Sequence, residues 1–464
     1  MAKSKYSLVE LSPEVGLLIL LQITSTKDLH SFIRAFSRHY NIFRLNKLRI
    51  LISVINQAFH PRLIPLALKV CDAAHLSRPS KPFLTEEDLD ELSEMPDPGD
   101  SYVQEKRASV FKFLTAFERH AQPQRIPKET STVYSLCRLQ RLLEHFIDDF
   151  KAVTLKKLKE TKSKVGIRPS SHERLSFMEY SRLQRAFLHF ELYRRIYGGF
   201  ESHVWAKRGL GRVYAEHSYF ATNLNDCEIG ELLAVQEYLV RRMESVFDNS
   251  EKWIMSRILE AAGRRDKEQG QISCIEHLEL HGLGIYDCNH KGTQQSIGDH
   301  LIGLGLPFCK RFFSMSVEDQ TRVILLFRFS PCTPSLSSVI LDKKTGSPEP
   351  AGSQWLAEHG SSQNMPPSWL EASSPSKRPK SSTYRDQDYG FRQTGYYFWD
   401  NARATPEYWE SVKLPSPCQR DRASERSVDI MLMTTTIRYD AWNDIPPKRP
   451  DSKELTQMIL QLEY

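Results

Sequence analysis

The sequence predicts a mainly α protein, with a three-helix module at the N-terminus followed by a large helical region that a disordered insert interrupts. Three observations carry this expectation. Apolar residues recur at helical spacing over long stretches, as at Leu136, Leu139, Leu143, Phe146 and Phe150. Helix-start signals such as Ser12-Pro13-Glu14 stand just ahead of apolar stretches. No repeat occurs at a period that would build leucine-rich repeats or propeller blades.

The first helix starts at Ser12, whose hydroxyl can accept from the free amides of a first turn. Pro13 follows where its missing N–H costs nothing, and Glu14 favours the positive end of the helix dipole. From Val15 the chain is apolar almost all the way round through Leu17, Leu18, Ile19, Leu20 and Leu21, so this helix must be covered by its own chain or by a partner. Residues 24–26 break the run, and Asp28 is the expected cap of a second helix. Leu29, Phe32, Ile33 and Phe36 then recur at helical spacing ahead of Tyr40 and Phe43.

The order Leu11, Pro13, Glu14, Val15, Leu18, Ile19, then Asp28-Leu29 and Ser37, resembles an F-box, in the degenerate F-box-like form found at the start of many fungal proteins. Ser12 stands where that family usually has proline, and Pro13 follows it. The resemblance covers under a tenth of the chain. It implies that the leading helix docks on the Skp-type adaptor of a cullin ubiquitin ligase while the rest of the chain holds a protein substrate. It assigns the docking surface to Leu11, Pro13, Glu14, Val15, Leu18 and Ile19, with Leu29 and Ile33 supporting the helix pair. The stretches RLSFMEYSRLQRAFLHFELYRRI (174–196) and GFRQTGYYFWDNAR (390–403) also resemble the central and closing segments of the same group.

The helical pattern continues through Leu45, Leu48, Leu51, Ile52, Ile55 and Phe59 until Pro61, residues 63–74 offer one more helix, and together these would form a lid over the N-terminal helices. Residues 1–77 form the expected first unit. Residues 78–101 hold Pro79, Pro82, Pro96 and Pro98 around an acidic run and read as a surface linker with one short helix at 86–92. The expected helical domain, 102–329, lays Val133 to Val153 along one stripe. A second long helix carries Leu183, Phe187, Phe190 and Tyr197 on one side and Arg174, Arg182, Arg185 and Arg195 on others, until Gly198-Gly199 stops it. Further helices follow over 225–249 and 253–262, and Ser316-x-x-Asp319 is a capping box for one more.

Residues 330–386 mix eight prolines with serines and little that is apolar, so ordering them would not offset its entropy cost. This is the expected disordered insert. The patch Lys377-Arg378-Pro379-Lys380 within it reads as a chance cluster rather than an import signal. In residues 387–464 the rings Phe391, Tyr396, Tyr397, Phe398 and Trp399 are expected to complete the helical core, because aromatics bury large areas.

Hydrophobic content of 40% and charged content of 26% are those of a globular protein. A net charge of +6, spread over 464 residues, is not the footprint of a nucleic-acid binder. The eight cysteines stand far apart with no C-x-x-C and no secretory signal ahead of them, and read as reduced thiols of a cytoplasmic or nuclear protein. No apolar run approaches the roughly 18 residues that span a bilayer. The expected partners are therefore proteins, with no nucleic acid and no membrane.

One constellation has ligand chemistry. If residues 272–281 are helical, Cys274, His277 and His281 share a face, and Cys288 or His290 closes a tetrahedron around Zn²⁺. The spacing matches no zinc signature, and an ordinary exposed face explains it as well, so the expectation is no cofactor. An open fourth position would make zinc-activated water the one enzymatic reading. Gly209-Leu-Gly211, Gly282-Leu-Gly284 and Gly303-Leu-Gly305 never complete G-x-G-x-x-G, and there is no P-loop, H-E-x-x-H, G-x-S-x-G or kinase set. The sequence thus predicts a non-catalytic interaction adaptor. Its rivals are a helical scaffold outside any ligase and, further off, a zinc enzyme.

Overall fold

A computed structural model describes residues 12–35, 37–73, 108, 112–113, 126, 129–165, 174–197, 220, 224, 226–269, 298, 301–326 and 398–399. Among these residues there is no strand, and the protein is mainly α. The chain divides into two compact units, Met1–Ser77 with Gly99–Lys156 and Ser170–Ile196, and Arg78–Pro98 with Lys157–Pro169 and Tyr197–Tyr464.

The first unit opens with α1 (Pro13–Leu21), started as its sequence dictates: the Val15 amide donates to Ser12 Oγ at 3.4 Å, and Pro13 takes the first position. Helix α2 spans Thr26–Ala35, and its cap differs from the expected one. Ser25 Oγ accepts from the amides of Lys27 at 3.1 Å and Asp28 at 3.4 Å, which leaves Asp28 inside the first turn, where its charge favours the dipole. Helices α3 (Ser37–Leu45) and α4 (Lys47–Ala58) meet at Asn46, whose Nδ2 turns back to donate to the Ile42 carbonyl at 3.1 Å. Pro61 ends the pattern and opens a short 3-10 turn, Pro61–Leu63, which leads into α5 (Ile64–Ala73).

Helix α6 spans Thr130–Val165, and within the first unit its expected stripe is inside as far as Phe150: Val133, Leu136, Leu139, Leu143, Phe146 and Phe150 are buried and Val153 is half-buried. Helix α7 spans Phe177–Tyr197 and stops where Gly198 follows. It is far more buried than a one-sided pattern implies, since Glu179, Arg182, Arg185, Glu191 and Arg194 are buried along with Leu183, Phe187 and Phe190. Two of these charges, Glu191 and Arg194, have partners one turn or less away on the same helix. Arg195 Nε bonds Glu191 Oε1 at 2.7 Å, and the Arg194 guanidinium lies 5.2 Å from the centres of both the Phe190 and Tyr193 rings.

The start of α7 is a full capping box. The Glu179 amide donates to Ser176 Oγ at 3.1 Å, and the Ser176 amide donates to Glu179 Oε2 at 2.9 Å. Ser176→Ala is expected to cost about 1 kcal/mol, checked as a shift of the urea midpoint at unchanged slope.

Hydrogen bonds cross the expected boundary at residue 77. Thr26 Oγ1 donates to Gln140 Oε1 at 2.6 Å, Gln184 Nε2 to the Ala58 carbonyl at 2.7 Å and Arg195 Nη1 to the Val70 carbonyl at 2.9 Å. Helices α2, α4 and α5 are thus tied to α6 and α7 within one unit.

In the second unit, α8 (Asp226–Gln269) packs with α10 (Val317–Leu326), and α9 (Leu306–Ser314) precedes α10. Gly305 caps α9 at φ 90°, a conformation that only glycine enters readily, so the second glycine of Gly303-Leu-Gly305 serves a helix start. The expected cap of α10 is present: the Asp319 amide donates to Ser316 Oγ at 3.1 Å, and the Ser316 hydroxyl donates to Asp319 Oδ2 at 2.7 Å. Phe398 and Trp399 are fully buried; Phe391, Tyr396 and Tyr397, expected to pack with them, lie outside the described residues. The 78–101 linker, the 330–386 insert and the remaining C-terminal segment lie outside the described residues.

Candidate functional site

Helix α1 has no polar face, so its orientation is decided by which side fits its neighbours. Gly16 and Leu20 are buried and turn toward α3 and α4. Gly16 permits this approach: a Cβ there would stand 2.8 Å from Ile42 Cδ1 and 3.4 Å from His39 Cδ2. At the far end, Ser53 Oγ and Gln57 Nε2 donate to the Leu21 carbonyl at 2.9 and 2.5 Å, satisfying an oxygen the helix leaves without an internal partner. The T-shaped pair Phe32 and His39, 4.8 Å between centres, joins α2 to α3.

With Gly16 and Leu20 inward, the opposite side of α1 faces out. Leu18 is 60% exposed and Val15 40%. They stand three positions apart, on neighbouring turns of one face. Pro13 and Glu14 are also exposed, and Leu17 and Ile19 are half-buried. A hydrogen bond from its own backbone amide, followed by one from Ser12, holds the Glu14 carboxyl below the usual carboxylate value.

Of the residues singled out in the sequence, Glu14, Val15 and Leu18 thus form one open surface with Ile19 at its edge, while Pro13 is exposed as the first residue of the helix, on the side of Leu20. Leu29 is 3% exposed and Ile33 half-buried, so Leu29 acts from inside the core and only Ile33 reaches toward the surface. Leu11 lies outside the described residues. Gly16, Ser53 and Gln57 seat the helix and were missed. A lone glycine within an all-apolar helix was the available signal for the first; nothing local marks the other two.

Among the described residues Cys71, Cys137 and Cys309 are free thiols. Burial pushes Cys71 up to about 12, with the Arg195 charge opposing, and Cys137 up to about 11, which leaves both protonated and poorly nucleophilic. Burial likewise raises Glu144, against hydrogen bonds from Gln140 and Ser25, and this carboxyl takes part in the junction that ties the start of α2 to α6.

No group of three His, Cys, Asp or Glu side chains that could hold a metal occurs among the described residues; Cys274, His277, His281, Cys288 and His290 lie outside them. No helix among the described residues is long and apolar enough to cross a membrane. No family model matches the chain, and neither a curated protein nor a solved structure matches it.

Proposed function

We propose that this chain is a non-catalytic interaction adaptor of the F-box-like kind, which docks a Skp-type partner of a cullin ubiquitin ligase through the outward side of α1 and holds a protein substrate with other parts. The observation that carries the reading is the exposure of Leu18 and Val15 on a helix that has no polar face of its own. Fully burying such a side chain contributes about 1.5–3 kcal/mol relative to leaving it in water, so a partner that covers both has a substantial driving force. The seat beneath α1 keeps that side presented. Bond-breaking chemistry belongs, in this reading, to other subunits, and the protein works in the cytoplasm or nucleus.

The bonds from α2, α4 and α5 into α6 and α7 favour a second reading, a helical scaffold outside any ligase, because they give the N-terminal helices a structural task without a partner. Co-expression with a Skp-type adaptor separates the two. The wild-type chain is expected to co-purify, and Leu18→Glu to lose capture with an unchanged melting temperature, since Leu18 buries little of itself in the free protein. Equal capture of both chains would remove the docking surface from α1.

A further inference from the structure

The modest net charge of the chain conceals a local excess. Residues 29–71 contain five arginines and two lysines and not one Asp or Glu, whereas the whole chain amounts to +6. This run supplies residues 29–35 of α2, all of α3 and α4, and α5 as far as Cys71, and it is bounded by Asp28 and Asp72. Arg34, Arg44 and Arg49 are exposed and make no ion pair among the described residues. Soluble surfaces ordinarily intersperse both signs, because an excess of one sign repels itself.

Apolar side chains are exposed among these cations. Leu45 is 80% exposed and Tyr40 50%, and Tyr40 stands one helical turn before Arg44 on α3. Arginine and tyrosine are concentrated at protein interfaces while lysine is depleted, and five of the seven cations here are arginines. The planar guanidinium also matches a carboxylate in bidentate fashion. A nucleic-acid backbone would use the charges but leave Leu18 and Leu45 in water.

We infer that helices α2 to α4 present arginines for a carboxylate-rich face of the partner protein, on α3 and α4, which pack with α1, and on α2, which packs with α3. The inference rests on the adaptor reading and adds the chemistry of the partner's face. Opposite charges steer the encounter and fix the register, and the apolar contact slows dissociation.

The test measures affinity of the full-length chain for a Skp-type adaptor at about 50 and about 300 mM KCl, since exposed charges are screened over this range. The wild-type chain is expected to lose about tenfold between the two salts. The triple variant Arg34→Glu, Arg44→Glu, Arg49→Glu is expected to lose about thirtyfold or more at low salt, and the corresponding glutamine triple about tenfold, with wild-type melting temperatures. Wild-type binding that is flat in salt and within about twofold in both triples would overturn this inference and leave the α1 reading standing. No binding of the wild-type chain would remove both. Charge-dependent binding of a DNA duplex or of phosphatidylserine vesicles, with adaptor binding unaffected, would reassign the surface and overturn the inference.

Discussion

Phe187→Ala is expected to destabilise the first unit by about 3–5 kcal/mol. Phe187 is fully buried near the middle of α7. Its ring lies parallel-offset to Phe146 at 5.9 Å and edge-on to Phe150 at 6.3 Å, both on α6. Truncation removes the transfer energy of the ring and the two aromatic contacts, and leaves a hole in the middle of a helix pair that cannot close without shifting backbone. Urea unfolding followed by far-UV circular dichroism reads the change. A loss below about 1 kcal/mol would show that α6 and α7 do not form the core of that unit.

Gly16→Val carries the second large effect, about 1–3 kcal/mol. The new Cβ alone would stand 2.8 Å from Ile42 Cδ1, and a branched side chain adds methyl groups toward His39, which is itself buried. Ile42 can turn aside for a single methyl, so Gly16→Ala is expected to cost clearly less than the valine variant. The measurement is the melting temperature of both variants together with hydrogen exchange in α1: the valine form exchanges faster there and melts lower. Equal melting of glycine, alanine and valine forms would mean that α1 does not sit on α3 through this position.

The helical class, the start of α1, the α6 stripe and the Ser316 box were legible because each is a local matter. A hydroxyl three residues ahead of a free amide, or a stripe at helical period, announces itself in a few neighbouring residues. The cap of α2 was misread because Ser25 and Asp28 are both competent acceptors, and only the backbone at Thr26 decides which one precedes the first turn. The burial of α7 was not legible for a different reason. Arg182, Arg185 and Arg194 lie on sides that a solvent-facing helix would also give them, and the spacing along α7 does not mark them as buried. At the candidate site the sequence marked the apolar α1 but not which side of it turns outward. That choice follows from Gly16 and from the Ser53 and Gln57 bonds to the Leu21 carbonyl, more than thirty residues away in sequence.

Hydrogen–deuterium exchange of the full-length chain with and without a Skp-type adaptor tests the docking surface most directly. The account predicts slowed exchange concentrated in Pro13–Leu21, with weaker protection over Ser37–Leu45 and none over Phe177–Tyr197. A complex that leaves the exchange of Pro13–Leu21 unchanged, or no complex at all, would contradict it.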